Sequence, residues 1–209
     1  DPRAAWAVMA ACLAAGALIW VAGEPRSVET LMGETGPVER LTTVSYFLCA
    51  IFAGVARAAD LDRRTTIALI VVMVAFALRE LDWHKAFTGT SILRLSWYAG
   101  PAPWTTKLAA LAALAPVAAS MAWLVWRHAL PVWRGWRAAR PVATTVVAFF
   151  VTLVMAKTLD RMVSILSFDL GVHVPLYWVA LRSSVEECLE LGLSLLMLLG
   201  LAQHRAVSR

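Results

Sequence analysis

Charge is scarce in this chain. Asp, Glu, Lys and Arg make up 16% of its 209 residues, where a soluble domain carries about 25%. That deficit excludes an ordinary water-facing surface, because hydrophobic residues fill 60% of the sequence. Cysteine is nearly as sparse: Cys12, Cys49 and Cys188 stand far apart, each inside an apolar block. This spacing excludes a disulfide framework and a CxxC metal site and leaves small core residues. There is no Gly/Ser linker, low-complexity tail or internal repeat, so residues 1–209 read as a single integral membrane domain. A net charge of +5 does not mark a nucleic-acid binder here, since the distribution of the basic residues follows membrane topology.

What is present is apolar sequence in long runs. Six blocks reach the roughly 20 residues that a helix needs to cross a bilayer. They lie near Ala5 to Ala22, Val38 to Ala58, Thr65 to His84, Lys107 to Trp126, Val142 to Arg161, and Ser183 to Gln203. The expected fold is therefore all-α, a polytopic bundle of about six transmembrane helices. By its length the first block reads as a retained helix and not as a signal peptide. The segment from Glu24 to Glu39 and the segment from Thr88 to Trp104, both punctuated by Gly and Pro, read as outer loops.

Basic residues orient the bundle. With the amino terminus inside, Arg3, Arg57, Arg63, Arg64, Arg127, Arg134, Arg137, Arg140, Arg205 and Arg209 face the cytoplasm. Of the acids only Asp1, Asp60 and Asp62 do so. The stretch from Arg127 to Arg140 is basic without any acid and reads as a cytoplasmic loop. Its Trp126, Trp133 and Trp136 alternate with arginines, as in an interfacial anchor on anionic lipid. Both termini are then cytoplasmic, and the compartment expected is a bacterial inner (plasma) membrane.

The most informative residues interrupt the last apolar run. Glu186, Glu187 and Glu190 lie within Val185 to Ala202. Carboxyl groups are costly in a bilayer, so they must face protein, water, protons or a metal. Counting along each helix at about 1.5 Å per residue puts other charges at the same outer level. These are Arg79 and Glu80, Lys157, Asp160 and Arg161, and Arg182. Glu190 shares a helix face with both Glu186 and Glu187, and Arg182 precedes Glu186 by four residues, within pairing reach. Glu80 and His84 are also four apart and read as one face of the third helix.

This convergence supports two readings. In the first, the site is that of a metal-dependent hydrolase acting on a lipid or lipid-linked substrate. Glu186, Glu187 and Asp160 are the catalytic candidates, because a carboxyl group in such a setting serves as general acid or base. Glu80, His84 and Glu190 offer the mixed N/O ligands that suit zinc, iron or manganese. Arg79, Lys157, Arg161 and Arg182 would orient an anionic headgroup. In the second, the charges form a structural network in a small transporter or in an accessory subunit of a membrane complex. Spacing excludes some chemistry. Glu80 to His84 is Glu-x-x-x-His, not the Glu-x-x-His of di-iron bundles. His84, His128, His173 and His204 all fall at helix ends or in loops, where water competes, so haem is not expected. No partner protein is indicated; the expected surroundings are membrane lipid.

Overall fold

The computed structural model describes residues 1–33, 36–56 and 61–207. Arg57, Asp60 and Arg209, which the orientation argument places inside, lie outside the described residues. The chain is all-helical, with no strand among the described residues. In order the helices are α1 (Arg3–Ala22), α2 (Pro25–Met32), α3 (Pro37–Ala56), α4 (Arg63–Glu80), α5 (Trp83–Ala86), α6 (Leu95–Ala99), α7 (Trp104–Arg137), α8 (Pro141–Ser164) and α9 (Leu176–Val207). A π-helical turn, Ile165–Asp169, continues α8.

Local chemistry sets the ends. Proline occupies the first turn of α2 and of α8, where its missing N–H costs nothing. Asp62 caps α4, its carboxylate accepting from the backbone N–H of Arg64 at 3.1 Å and of Thr65 at 3.0 Å. The left-handed conformation of Asp82 (φ 54°) follows the end of α4. Ala139 takes the same conformation (φ 52°) just past α7, where the Arg140 N–H donates to the Gly135 carbonyl at 2.8 Å.

Among the described residues, four helical stretches are long and apolar enough to cross a membrane: Arg3–Ala22, Pro25–Val55, which takes in α2 and α3, Trp104–Arg137, and Pro141–Ser167. Large apolar side chains such as Leu18, Leu48, Ile51, Leu111 and Val154 point outward. In water that would be a liability; in hydrocarbon it is the required surface. Two of the six expected blocks, α4 and α9, are not among the four. The reason is charge: α4 carries Arg63, Arg64, Arg79 and Glu80, and α9 carries Arg182, Glu186, Glu187, Glu190 and Arg205.

Several sequence-based boundaries need correction. The segment from Glu24 to Glu39 is not simply a loop, since it contains α2, and the segment from Thr88 to Trp104 contains α6. The expected loop from Arg127 to Arg140 is helical as far as Arg137, and α7 runs through both Pro116 and Pro131. The third block stops at Glu80, so His84 sits on α5 and does not share a continuous helix face with Glu80.

The chain divides into two compact units, Asp1–Ser45 with Leu130–Arg209, and Tyr46–Ala129. In the first, α9 packs along α8 and α1, and α2 lies against it. Small residues allow the close approach of α1 and α9. A Cβ on Gly16 would fall 2.7 Å from Val185 Cα and 2.8 Å from the Ser184 carbonyl, and one on Gly192 would fall 2.9 Å from Cys12 Sγ. Across α8 and α9, the Thr145 hydroxyl donates to Gln203 at 2.7 Å. In the second unit, Tyr46 of α3 stacks on Phe76 of α4 with ring centres 5.3 Å apart. Thr65 hydrogen-bonds His128 at 2.9 Å, and the Arg64 guanidinium lies 5.4 Å from the centre of the Trp123 ring. These contacts bring the start of α4 beside residues 123–128 of α7.

Candidate functional site

In the first unit the charged residues of α8 and α9 meet. On α9, Arg182, Glu186 and Glu190 follow at four-residue intervals and form one stripe. On α8, Lys157 and Asp160 face that stripe. Lys157 donates directly to Glu190, whose side chain is only 4% exposed. The Arg182 guanidinium lies 3.4 Å from Glu186, its neighbour one turn on, and 3.6 Å from Asp160 across the helix pair. One guanidinium therefore serves two carboxylates. It also donates to the Ser183 hydroxyl at 3.3 Å, and Ser183 donates to Glu29 of α2 at 3.1 Å. The stripe thus continues from α9 into α2.

The other predicted residues are spread more widely. Glu187 is half-buried on α9. Arg161 is exposed on α8 and has no ion pair among the described residues. Arg79, Glu80 and His84 belong to the second unit, where Arg79 pairs with the buried Glu80 at 3.1 Å. Asp82 lies between Lys85 at 2.8 Å and His84 at 3.9 Å. Burial holds the His84 imidazole below its usual pKa; Asp82 opposes that shift, and Lys85 and Arg79 add to it. Among the described residues no group of three or more His, Cys, Asp or Glu is gathered to hold a metal. The ligand role of Glu80, His84 and Glu190 accordingly rests on the sequence reading.

Sequence reasoning does not single out Glu29 or Ser183. Glu29 is one of four glutamates in a stretch that reads as loop. Ser183 carries no sequence signal beyond its place next to Arg182.

Beside the network lies an apolar groove of about 400 Å³. Leu159, Met162 and Leu166 line one side, Trp178 and Arg182 the other, and His173 stands in the segment between the π-helical turn and α9. Arg182 belongs both to this groove and to the carboxylate cluster. The arrangement can present a cation and neighbouring carboxylates to the polar end of a molecule whose tail is apolar.

No family model, no curated protein and no solved structure matches the chain. Fold and surface together define its class, an all-α protein with, among the described residues, four helical stretches long and apolar enough to cross a membrane.

Proposed function

We propose that the chain is a six-span integral membrane protein of the inner membrane, with both termini cytoplasmic, that acts on an anionic lipid or lipid-linked substrate at Arg182. In this reading α4 and α9 are the two further spans. At about 1.5 Å per residue the 18 residues of α4 come to about 27 Å, near the thickness of the hydrocarbon core, and its charges stand at its ends. The charges of α9 are offset by partners on α8, which lowers the cost of burying them. The observation that carries the reading is that Arg182, between Asp160 and Glu186, also lines an apolar groove.

The chemistry proposed is hydrolysis. Glu186 and Asp160, sharing one guanidinium, are the acid–base pair, with Glu187 beside them on α9. One carboxylate takes the proton of the attacking water, and a protonated carboxyl returns one to the leaving group. Arg182 orients the anionic headgroup, and Lys157 balances the charge of Glu190. A metal-dependent form, with zinc, iron or manganese held at Glu190, would lower the pKa of the bound water. The test is to incubate purified protein with phospholipid and assay both headgroup release and bound metal. Turnover that Glu186→Gln abolishes, and stoichiometric metal that Glu190→Ala removes, support this reading. Metal-free protein that turns over nothing sinks it.

The second reading, a small transporter or an accessory subunit with a structural charge network, is favoured by one contact, the direct Lys157–Glu190 pair. Under it, Glu190→Ala loses stability and nothing else.

A further inference from the structure

A second groove opens on the exposed side of α8, and it has chemistry of its own. It measures about 550 Å³. Val154, Met162, Ile165 and Leu166 form its apolar wall, and Lys157 and Arg161, one helical turn apart, supply its cations. Val154, Met162 and Ile165 are all exposed and belong to the apolar surface α8 presents to its surroundings. Arg161 and Asp160 are successive residues and so project about 100° apart on the helix. Asp160 turns toward Arg182 of α9. Arg161 is left exposed, with no acceptor among the described residues. Lys157 reaches Glu190 yet remains 34% exposed, with further N–H donors.

We propose that this groove binds one anionic glycerophospholipid, its phosphate on Arg161 and Lys157 and its acyl chains against Val154, Met162, Ile165 and Leu166. A planar guanidinium matches two phosphate oxygens at once. The groove sets those cations between Val154 on one side and Met162, Ile165 and Leu166 on the other, so one molecule with an anionic head and apolar tails can meet both chemistries there. Its cations are not that of the Arg182 groove, and binding here does not depend on the chain hydrolysing anything. The site holds a lipid whether the protein is an enzyme or an accessory subunit.

The test is native mass spectrometry of the full chain in detergent, titrated in parallel with phosphatidylglycerol and phosphatidylcholine. One tightly held phosphatidylglycerol is expected, with phosphatidylcholine at least tenfold weaker. Arg161→Gln, an exposed substitution, should cut the preference about tenfold, as loss of one charged hydrogen-bonded contact does. Arg161→Lys should keep part of it. Ile165→Asp should weaken both lipids, since it places charge against the tail. Arg94→Gln, an exposed substitution outside the groove, should leave the preference intact. Equal binding of the two lipids overturns the proposal, and so does a preference that survives Arg161→Gln or falls as far with Arg94→Gln. Displacement of the lipid by millimolar inorganic phosphate would show a simple anion site and overturn it as well.

Discussion

Lys157 on α8 donates to Glu190 on α9, and the two ends of that contact differ in burial. The Glu190 side chain is 4% exposed, whereas that of Lys157 is 34% exposed. A lysine so placed can extend its ammonium toward water when its acceptor is lost. A carboxylate that deep has no such escape. Lys157→Met should therefore destabilise the protein more than Glu190→Gln does. Breaking a buried pair from one side costs roughly 3–5 kcal/mol, and the exposure of Lys157 places its removal near or below the lower end of that range. The double variant Lys157→Met/Glu190→Gln should recover much of the loss. Thermal unfolding of the four proteins in one detergent decides this. Equal losses for the two single variants would show that burial does not govern the pair.

The α1–α9 crossing gives a second test. A methyl group on Gly16 would press on the backbone of Val185 and Ser184, which cannot swing aside as a side-chain tip can. Gly16→Ala should cost about 1–3 kcal/mol, the usual range for overpacking. Gly200 of α9 is the control: an added Cβ there would meet only Thr145 Cγ2, at 3.5 Å. Gly200→Ala should be neutral or stabilising by up to about 1 kcal/mol through helix propensity. A Gly16→Ala protein that melts with the parent would mean that α1 and α9 do not cross so closely.

These two examples show how legible the molecule is in its sequence. Apolar runs announce α1, α3, α7 and α8, because each must present hydrophobic side chains all round. The Arg182–Glu186 contact is legible too, since it needs only the four-residue repeat of a helix. Lys157–Glu190 and Arg182–Asp160 are not. They depend on the register between α8 and α9, which the spacing within either helix does not reveal. Glycine and proline around α2 read as loop, yet Pro25 starts a helix and Gly33 follows its end. The Trp and Arg residues after position 126 read as a loop because their charge ends the apolar run. That charge leaves the helix intact, and α7 continues to Arg137. The likeness of Glu80 and His84 to a helical pair fails for a local reason, the left-handed turn at Asp82.

Asp62 yields a pH prediction. Hydrogen bonds from Thr65, through its side chain and then its backbone, hold the Asp62 carboxyl below the usual carboxylate range, and the Arg64 N–H assists. The folded pKa is thus lower than the unfolded one, so the cap stabilises fully above the unfolded value, about 3.9. That contribution is lost as pH falls through the folded pKa. Asp62→Ala should cost about 1 kcal/mol at neutral pH. Asp62→Asn should keep most of the cap and remove its titration. Melting curves at pH 7 and pH 3 check both points: the Asn variant should lose less than the parent on acidification, and a larger loss would remove Asp62 from the account.

The last prediction concerns Ala139, which holds a left-handed conformation at φ 52° just beyond α7. For a residue with a Cβ that conformation costs roughly 1–2 kcal/mol, while glycine adopts it freely. The turn is fixed by the Ala139 N–H on the Trp136 carbonyl at 2.9 Å and the Arg140 N–H on the Gly135 carbonyl at 2.8 Å. It cannot relax without releasing the end of α7 and the start of α8. Ala139→Gly should relieve the strain and, after the extra entropy that glycine loses on folding, about 0.5–1 kcal/mol, leave a gain of roughly 0.5 kcal/mol. Because Ala139 is exposed, no packing contact offsets that gain. Ala139→Val tests the same strain from the other side, since a β-branched residue tolerates positive φ least. It should lower the melting temperature where Ala139→Gly raises it. If the two variants shift in the same direction, the turn carries no strain of this kind.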